Sequence, residues 1–221
     1  MEGEHFSVEI EFVYGNHSYS NFWFQWQTEE AIPLLMKEGV ISHFFKVSGE
    51  NKLVMFLKAD GDQIDNILYN RIQVINQFGE QIKIKITAIY DYVTFANLAN
   101  GLVASETKYE EIESTHKDTG AHHLLDIRME YRGMTQDEFL NIWIKEIAAA
   151  LGAKKAGIAT DIWKVLGERR VLVITNVDAL PVLDNIVLNL PMMKEMGNQM
   201  YITAKRLTKY DKFIEQDKCT R

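Results

Sequence analysis

The stretch HFFKVSGENKLVMF, residues 43–56, returns in altered form as DIWKVLGERRVLVI, residues 161–174. Lys46 answers Lys164 at an offset of 118 residues. Gly39 and Gly157, Gly49 and Gly167, Asp60 and Asp178, and Gly79 and Gly197 keep that offset. Upstream it becomes 117, where Phe22, Trp26 and Glu29 answer Phe139, Trp143 and Glu146. Asp65-Asn66-Ile67 matches Asp184-Asn185-Ile186 at 119. An offset that wanders by one residue at loops is what insertions in a copied unit produce. Matches in the same order along the whole unit predict an internal repeat of about 118 residues.

Both copies parse alike. HFSVEIEFVY alternates, with Phe6, Val8, Ile10, Phe12 and Tyr14 on one side, and HLLDIRMEY does the same through Leu125, Ile127, Met129 and Tyr131. Period two predicts strands. A helix follows each. In the second copy Thr135-x-x-Glu138 is a capping box, and Phe139, Trp143, Ile147 and Leu151 line one face. Pro33 interrupts the corresponding pattern in the first copy and predicts a kink or restart. Two strands come next, around 41–47 and 52–58 and around 159–165 and 170–176, with turns through Gly49 and Gly167. A second helix is expected over roughly 61–77 and 179–190, and a closing strand near 80–90 and 198–207. The order β-α-β-β-α-β is ferredoxin-like. The predicted fold is α+β: a first unit over 1–95, a polar linker over 96–121, and a second unit over 122–221.

In such a unit both helices cover one sheet face. Leu53 to Leu57 and Val171 to Ile174 are apolar without alternation, which marks strands buried on both sides. The two sheets are therefore expected to pack against each other in a barrel-like arrangement, an intrachain pseudo-dimer. Charges alternate out of the neighbouring strands: Glu9 and Glu11 against Lys83 and Lys85, and Asp126, Arg128 and Glu130 against Lys205. They read as a cross-strand ladder that fixes register, or as a polar lining that meets a ligand.

Composition narrows the classes. The net charge of −7 repels phosphate backbones, and the lysines are scattered, so nucleic acid is not expected. No apolar run approaches the roughly 20 residues that span a bilayer, and the start lacks the basic and apolar regions of a secretory signal. The expectation is a cytoplasmic protein. Cys219 is the single cysteine, too few for a disulfide or a thiolate cluster. His116, His122 and His123 match no metal spacing. No metal and no cofactor are expected.

Residues 162–193, IWKVLGERRVLVITNVDALPVLDNIVLNLPMM, resemble the muconolactone isomerase family. The likeness rests on Trp163-Lys164 on the second strand, the turn at Gly167, the apolar third strand, and Leu190-Pro191 closing the helix. The first copy keeps Phe45-Lys46 and Gly49 but has no Leu-Pro step. The resemblance implies a dimeric α+β-barrel fold, here with both halves in one chain. It also implies a cofactor-free proton shift that moves a double bond in an unsaturated lactone.

Such a shift needs a base, an acid and a group that holds the enolate, placed in an apolar pocket. In this fold the pocket expected is the space between a sheet and its helices. His43 begins the second strand, and its counterpart is Asp161; each is a candidate base or a strand-end residue facing water. Tyr14 and Tyr131 end the first strands and are candidate oxyanion donors or core tyrosines. Glu29 and Glu146 flank the aromatic stripe as candidate acids or solvated helix charges. Trp26, Trp143 and Trp163 are candidate pocket walls; Trp23 and Phe24, more aromatic surface than one helix face buries, wall a pocket or meet a partner subunit. The ligand expected is a small, mostly apolar carbonyl or aromatic-derived molecule, with or without further homo-oligomerisation of the chain. Two other readings stay open: a cofactor-free monooxygenase of phenolic or quinol-like substrates, and a non-catalytic binding or assembly module.

Overall fold

The computed structural model describes residues 4–13, 18–103, 107–112 and 121–216. They fall into two compact units, Met1–Ile89 with Leu207–Arg221, and Tyr90–Arg206.

The first unit runs β1 (Glu4–Phe12), α1 (Tyr19–Gln27), α2 (Ala31–Lys37), β2 (Ile41–Val47), β3 (Lys52–Ala59), α3 (Gln73–Phe78) and β4 (Ile82–Asp91). The helix interrupted near Pro33 does restart: α1 stops at Gln27 and α2 begins at Ala31. The single second helix expected over 61–77 is instead a 3-10 turn, a π turn over Asn66–Arg71, and α3. The break lies at Ile72, whose ψ of 90° leaves the helical region. Antiparallel pairing gives the sheet order β4-β1-β3-β2.

The second unit runs α4 (Tyr92–Leu102), β5 (His122–Met129), α5 (Gln136–Lys155), β6 (Ala159–Val165), β7 (Arg170–Asn176), α6 (Leu180–Asn189), α7 (Pro191–Met196) and β8 (Met200–Lys209). Its sheet order is β8-β5-β7-β6, the counterpart of the first. The Thr135–Glu138 capping box is formed as expected. The second helix ends where expected, but α7 follows it. Pro191 has no N–H to continue α6 and pushes Leu190 to an extended ψ of 140°.

The registers repeat as well. Ile41 pairs with Leu57 and Phe44 with Met55; Ala159 pairs with Thr175 and Ile162 with Val173. Each second strand carries an irregularity at the same place, between Ile41 and His43 and between Ala159 and Asp161. Gly49 and Gly167 turn the two hairpins at φ 79° and 72°, a conformation that glycine adopts without steric cost.

Unit boundaries differ from the linear division at 95 and 122. Part of the expected linker is α4, capped by Asp91, whose Oδ1 accepts the Val93 and Thr94 amides at 2.7 and 3.3 Å. This helix belongs to the second unit. After β8 the chain returns to the first unit as α8 (Tyr210–Gln216). The first unit is therefore discontinuous: each copy's closing helix completes the other unit. Sequence periodicity reports only which face of a helix is apolar, so it does not reveal which core that face covers.

The first core gathers Val8, Ile10, Phe12, Phe22, Trp26, Leu53, Met55 and Leu57 under α1 to α3. The second gathers Leu125, Ile127, Phe139, Trp143, Val171 and Val173. Val54, Phe56, Leu172 and Ile174 alternate away from these cores yet are at most 3% exposed. β3 and β7 are thus buried on both faces, as their unbroken apolar runs predict.

The charged face pairs differently from the expected ladder. Lys85 lies 3.9 Å from Glu9, but the closer partner of Glu9 is Lys52 on β3, at 3.3 Å. At the equivalent place Arg170 of β7 forks onto Asp126, with Nε to Oδ1 at 2.7 Å and Nη2 to Oδ2 at 2.9 Å. Burial alone would raise the Asp126 carboxyl, but Arg170 and then Arg128 hold it below the ordinary value.

Candidate functional site: a hollow in the second unit

The residues of α5 that face the sheet include Trp143 and, one turn on, Glu146. Glu146 is 8% exposed. It faces an apolar space between α5, α6, α7 and the sheet, walled by Leu125, Ile127, Ala159, Ile162, Val173, Leu183, Val187 and Met192 among others. The cavity measures about 60 Å³ of room for the centre of a water-sized sphere, where one water needs roughly 10–15 Å³. Tyr92, brought in by α4, also lines it.

The break at Leu190-Pro191 places the acid. With α6 ended, the Met192 amide is free of an intrahelical partner, and it donates to Glu146 Oε2 at 2.9 Å. Burial raises the Glu146 carboxyl above its ordinary value, partly offset by that amide. The first unit repeats the device: Val74, two residues past the break at Ile72, donates its amide to Glu29 Oε2 at 2.9 Å. There the second oxygen is also used. Because the helix restarts, the Ala31 amide donates to Glu29 Oε1 at 3.2 Å. In the second unit α5 is continuous, so no amide is freed beside Glu146. Among the described residues its carboxyl makes the Met192 hydrogen bond alone.

The hollow itself follows from residue size. Where the second unit has Ala159, Ile162, Val173 and Thr175, the first has Ile41, Phe44, Met55 and Leu57. Phe44 stacks on Trp26 at 5.7 Å and meets Tyr210 edge-on at 4.9 Å. Larger side chains fill in the first copy the space that stands open in the second.

Of the residues singled out in the sequence, Glu146 and Trp143 meet in this cavity. Asp161 and Trp163 are not among its walls. The irregularity after Ala159 displaces Asp161, and Trp163 alternates to the face opposite Ile162. Tyr131 lies past the end of β5, stacked on Phe139 at 4.7 Å with the Arg169 guanidinium over its ring at 4.9 Å. Tyr14 lies outside the described residues. In the first unit His43 is half-buried, stacked on Phe45 at 5.8 Å, and lines an open cleft with Ser42, Lys209 and Tyr210. Trp26 is sealed in the core, Trp23 is buried with Lys46 Nζ 4.6 Å above its ring, and Phe24 is exposed. The matching lysine, Lys164, donates to the Val165 and Glu168 carbonyls and lies over the Phe95 and Trp143 rings. Burial lowers Lys164 to about 8, against a smaller opposing effect of Glu168.

Tyr92 was not legible as a site residue, although a signal exists. Tyr92-x-x-Phe95 and Tyr210-x-x-Phe213 stand at the repeat offset of 118. Trp143 Nε1 donates to the Tyr92 hydroxyl at 3.1 Å. Tyr210 instead donates to the Trp26 carbonyl at 3.2 Å.

Among the described residues no group of three or more His, Cys, Asp or Glu could hold a metal ion. His122 and His123 open β5 and are each 3% exposed; His116 and Cys219 lie outside the described residues. No helix among those residues is long and apolar enough to cross a membrane.

A family model for muconolactone delta-isomerase matches residues 123–211, less than half the chain and nearly all of the second copy. No curated protein matches the chain in sequence. Among solved structures, a variant of chlorite dismutase from Candidatus Nitrospira defluvii superposes with a TM-score of 0.58 at 9% identity, covering 98% of this chain and 96% of that one. The protein solved as "Putative Chlorite dismutase TA0507" gives 0.54 at 8% identity, covering 96% and 99%. A "putative monooxygenase" from Lactobacillus acidophilus NCFM gives 0.52 at 9%, covering 95% of each chain. At these identities the likeness is one of fold, and it embraces both units.

Proposed function

We propose that the second unit is a cofactor-independent isomerase site, in which a small, mostly apolar carbonyl or lactone compound enters the helix–sheet hollow and Glu146 moves a proton between its carbons. The observation that carries this reading is the Glu146 carboxyl. It is buried in an apolar cavity, anchored through one oxygen by the Met192 amide, and keeps the other for a ligand. Burial moves its ionisation toward neutrality, where one carboxyl can both take and return a proton. The muconolactone delta-isomerase match over this copy supports the same chemistry. The first unit, with its larger core residues and doubly used Glu29, is the structural half. We read the chain as a tandem duplication, supported by the shared element order and the matching registers of the two sheets. The cytoplasmic location belongs to this reading too.

Proton exchange tests it. Unsaturated lactones that carry no carboxylate are incubated with the protein in heavy water and followed by proton NMR. Wild type is expected to incorporate deuterium next to the carbonyl, and Glu146→Gln to slow this by about 10²–10⁴-fold. Absence of exchange with every lactone tried refutes the proposal. The resemblance in fold to a "putative monooxygenase" favours a second reading, oxidation of a phenolic or quinol-like compound in the same hollow. Oxygen uptake in the presence of such a compound separates the two.

A further inference from the structure

We infer that the Tyr92 hydroxyl grips the carbonyl oxygen of the ligand, and that the ligand is an uncharged carbonyl compound rather than a carboxylic acid. The inference rests on the proposed reading of the same hollow and adds its polar anchor and substrate class.

Tyr92 is 2% exposed and lines the cavity. A phenol both accepts and donates a hydrogen bond. Its accepting role is taken by the indole N–H of Trp143, 3.1 Å away. Among the described residues its own proton has no acceptor. Buried donors are seldom left unsatisfied, so an acceptor is expected from whatever fills the space. The other copy shows the contrast: there Tyr210 donates to the Trp26 carbonyl, and that core is filled. Two tyrosines at equivalent positions thus differ in the one respect that matters for binding. Burial also raises the Tyr92 phenol well above its ordinary value, so it stays a donor while negative charge develops on the ligand oxygen.

The lack of positive charge sets the substrate class. Among the described residues Glu146 is the one carboxyl in the walls, and no lysine, arginine or histidine lines the cavity. An anion placed there would face Glu146 without a cation, a costly burial. The nearby Lys164 is committed to the carbonyls of Val165 and Glu168. A neutral ketone or lactone meets the Tyr92 donor through its oxygen and the aliphatic walls through the rest of its surface.

The test uses cyclohexenone with an isotope-labelled carbonyl as probe. Binding is read by tryptophan fluorescence and the bound carbonyl by infrared difference spectroscopy. Wild type and Glu146→Gln are expected to shift the carbonyl band to lower frequency than in an alkane solvent. Tyr92→Phe is expected to abolish the shift and weaken binding by up to about tenfold. With wild type alone, cyclohexene, which lacks the acceptor, and the cyclohexene carboxylate are each expected to bind at least about tenfold more weakly. An identical band in wild type and Tyr92→Phe, equal affinity for cyclohexene or the carboxylate, or no binding of cyclohexenone each overturn the inference. Lactone proton exchange with an unshifted carbonyl overturns the Tyr92 role alone. A shifted carbonyl without exchange leaves Tyr92 in place and refutes proton transfer by Glu146.

Discussion

Replacing Ala159 by the isoleucine that stands at its counterpart should stabilise the protein while closing its hollow. Ala159 is 3% exposed and lines the cavity; Ile41 fills the matching place in the first core. Three added carbons at about 0.8 kcal/mol each set a ceiling of about 2.4 kcal/mol. Erasing a cavity of about 60 Å³ at roughly 24 cal/mol per Å³ gives about 1.4 kcal/mol. Some strain is expected on insertion, and a β-branched residue suits a strand, so the expected gain is about 1–2 kcal/mol. For a chain of this length that raises Tm by about 2–8 °C. Thermal and urea unfolding measure the gain, and lactone proton exchange measures the loss of turnover. The reverse change, Ile41→Ala, should cost about 2–5 kcal/mol and create no activity. Two results refute the reasoning. Destabilisation of Ala159→Ile by more than about 1 kcal/mol means the space is not there to fill. Wild-type turnover in that variant means the ligand sits elsewhere.

Glu146→Gln should change stability in a pH-dependent way. The folded carboxyl ionises above its unfolded value, so the native state holds the proton longer, and wild-type stability falls as pH rises between those two values. The variant lacks that fall, so its Tm relative to wild type should climb as thermal unfolding is followed from acid to neutral pH. Asp126→Asn acts in the opposite sense. The Asp126 value is depressed when folded, so wild type loses that contribution as pH falls below the unfolded value, while the variant is flat there. At neutral pH it should cost about 3 kcal/mol in urea unfolding, because the buried Arg170 loses the carboxylate it forks onto. Thr135→Ala removes the hydroxyl that accepts the Glu138 amide at 3.3 Å and should cost about 1 kcal/mol, with exchange activity unchanged.

Local pattern carried much of the fold. Alternation found β1 and β5, unbroken apolar runs found β3 and β7, and the Thr135–Glu138 box marked the start of α5. These signals live within one turn or a few strand residues, where backbone geometry alone sets the period. Glu146 and Trp143 were legible for the same reason: they share the inward face of a helix. Tyr92 was not, because its role depends on which core α4 covers, and helix periodicity is silent about that. Asp161 is a candidate as the strand-start counterpart of His43 and Trp163 as a pocket wall, but the irregularity after Ala159 displaces the first and alternation turns the second to the far face. The hollow is a difference in volume between matched residues such as Ala159 and Ile41. It becomes readable in sequence only once the two copies are aligned.

The crossed ownership of α4 and α8 bears on how this polypeptide can be dissected. A cut in the segment around residues 103–121 would release two fragments, neither of them a complete unit. The leading fragment would lack Tyr210 and Phe213, and the trailing one would lack Tyr92 and Phe95, each losing aromatic packing and a buried hydroxyl contact. A free-standing second half has to be excised from Tyr90 to Arg206, and a first half needs the last fifteen residues grafted back on. A simple split in the middle of the chain therefore yields neither unit whole.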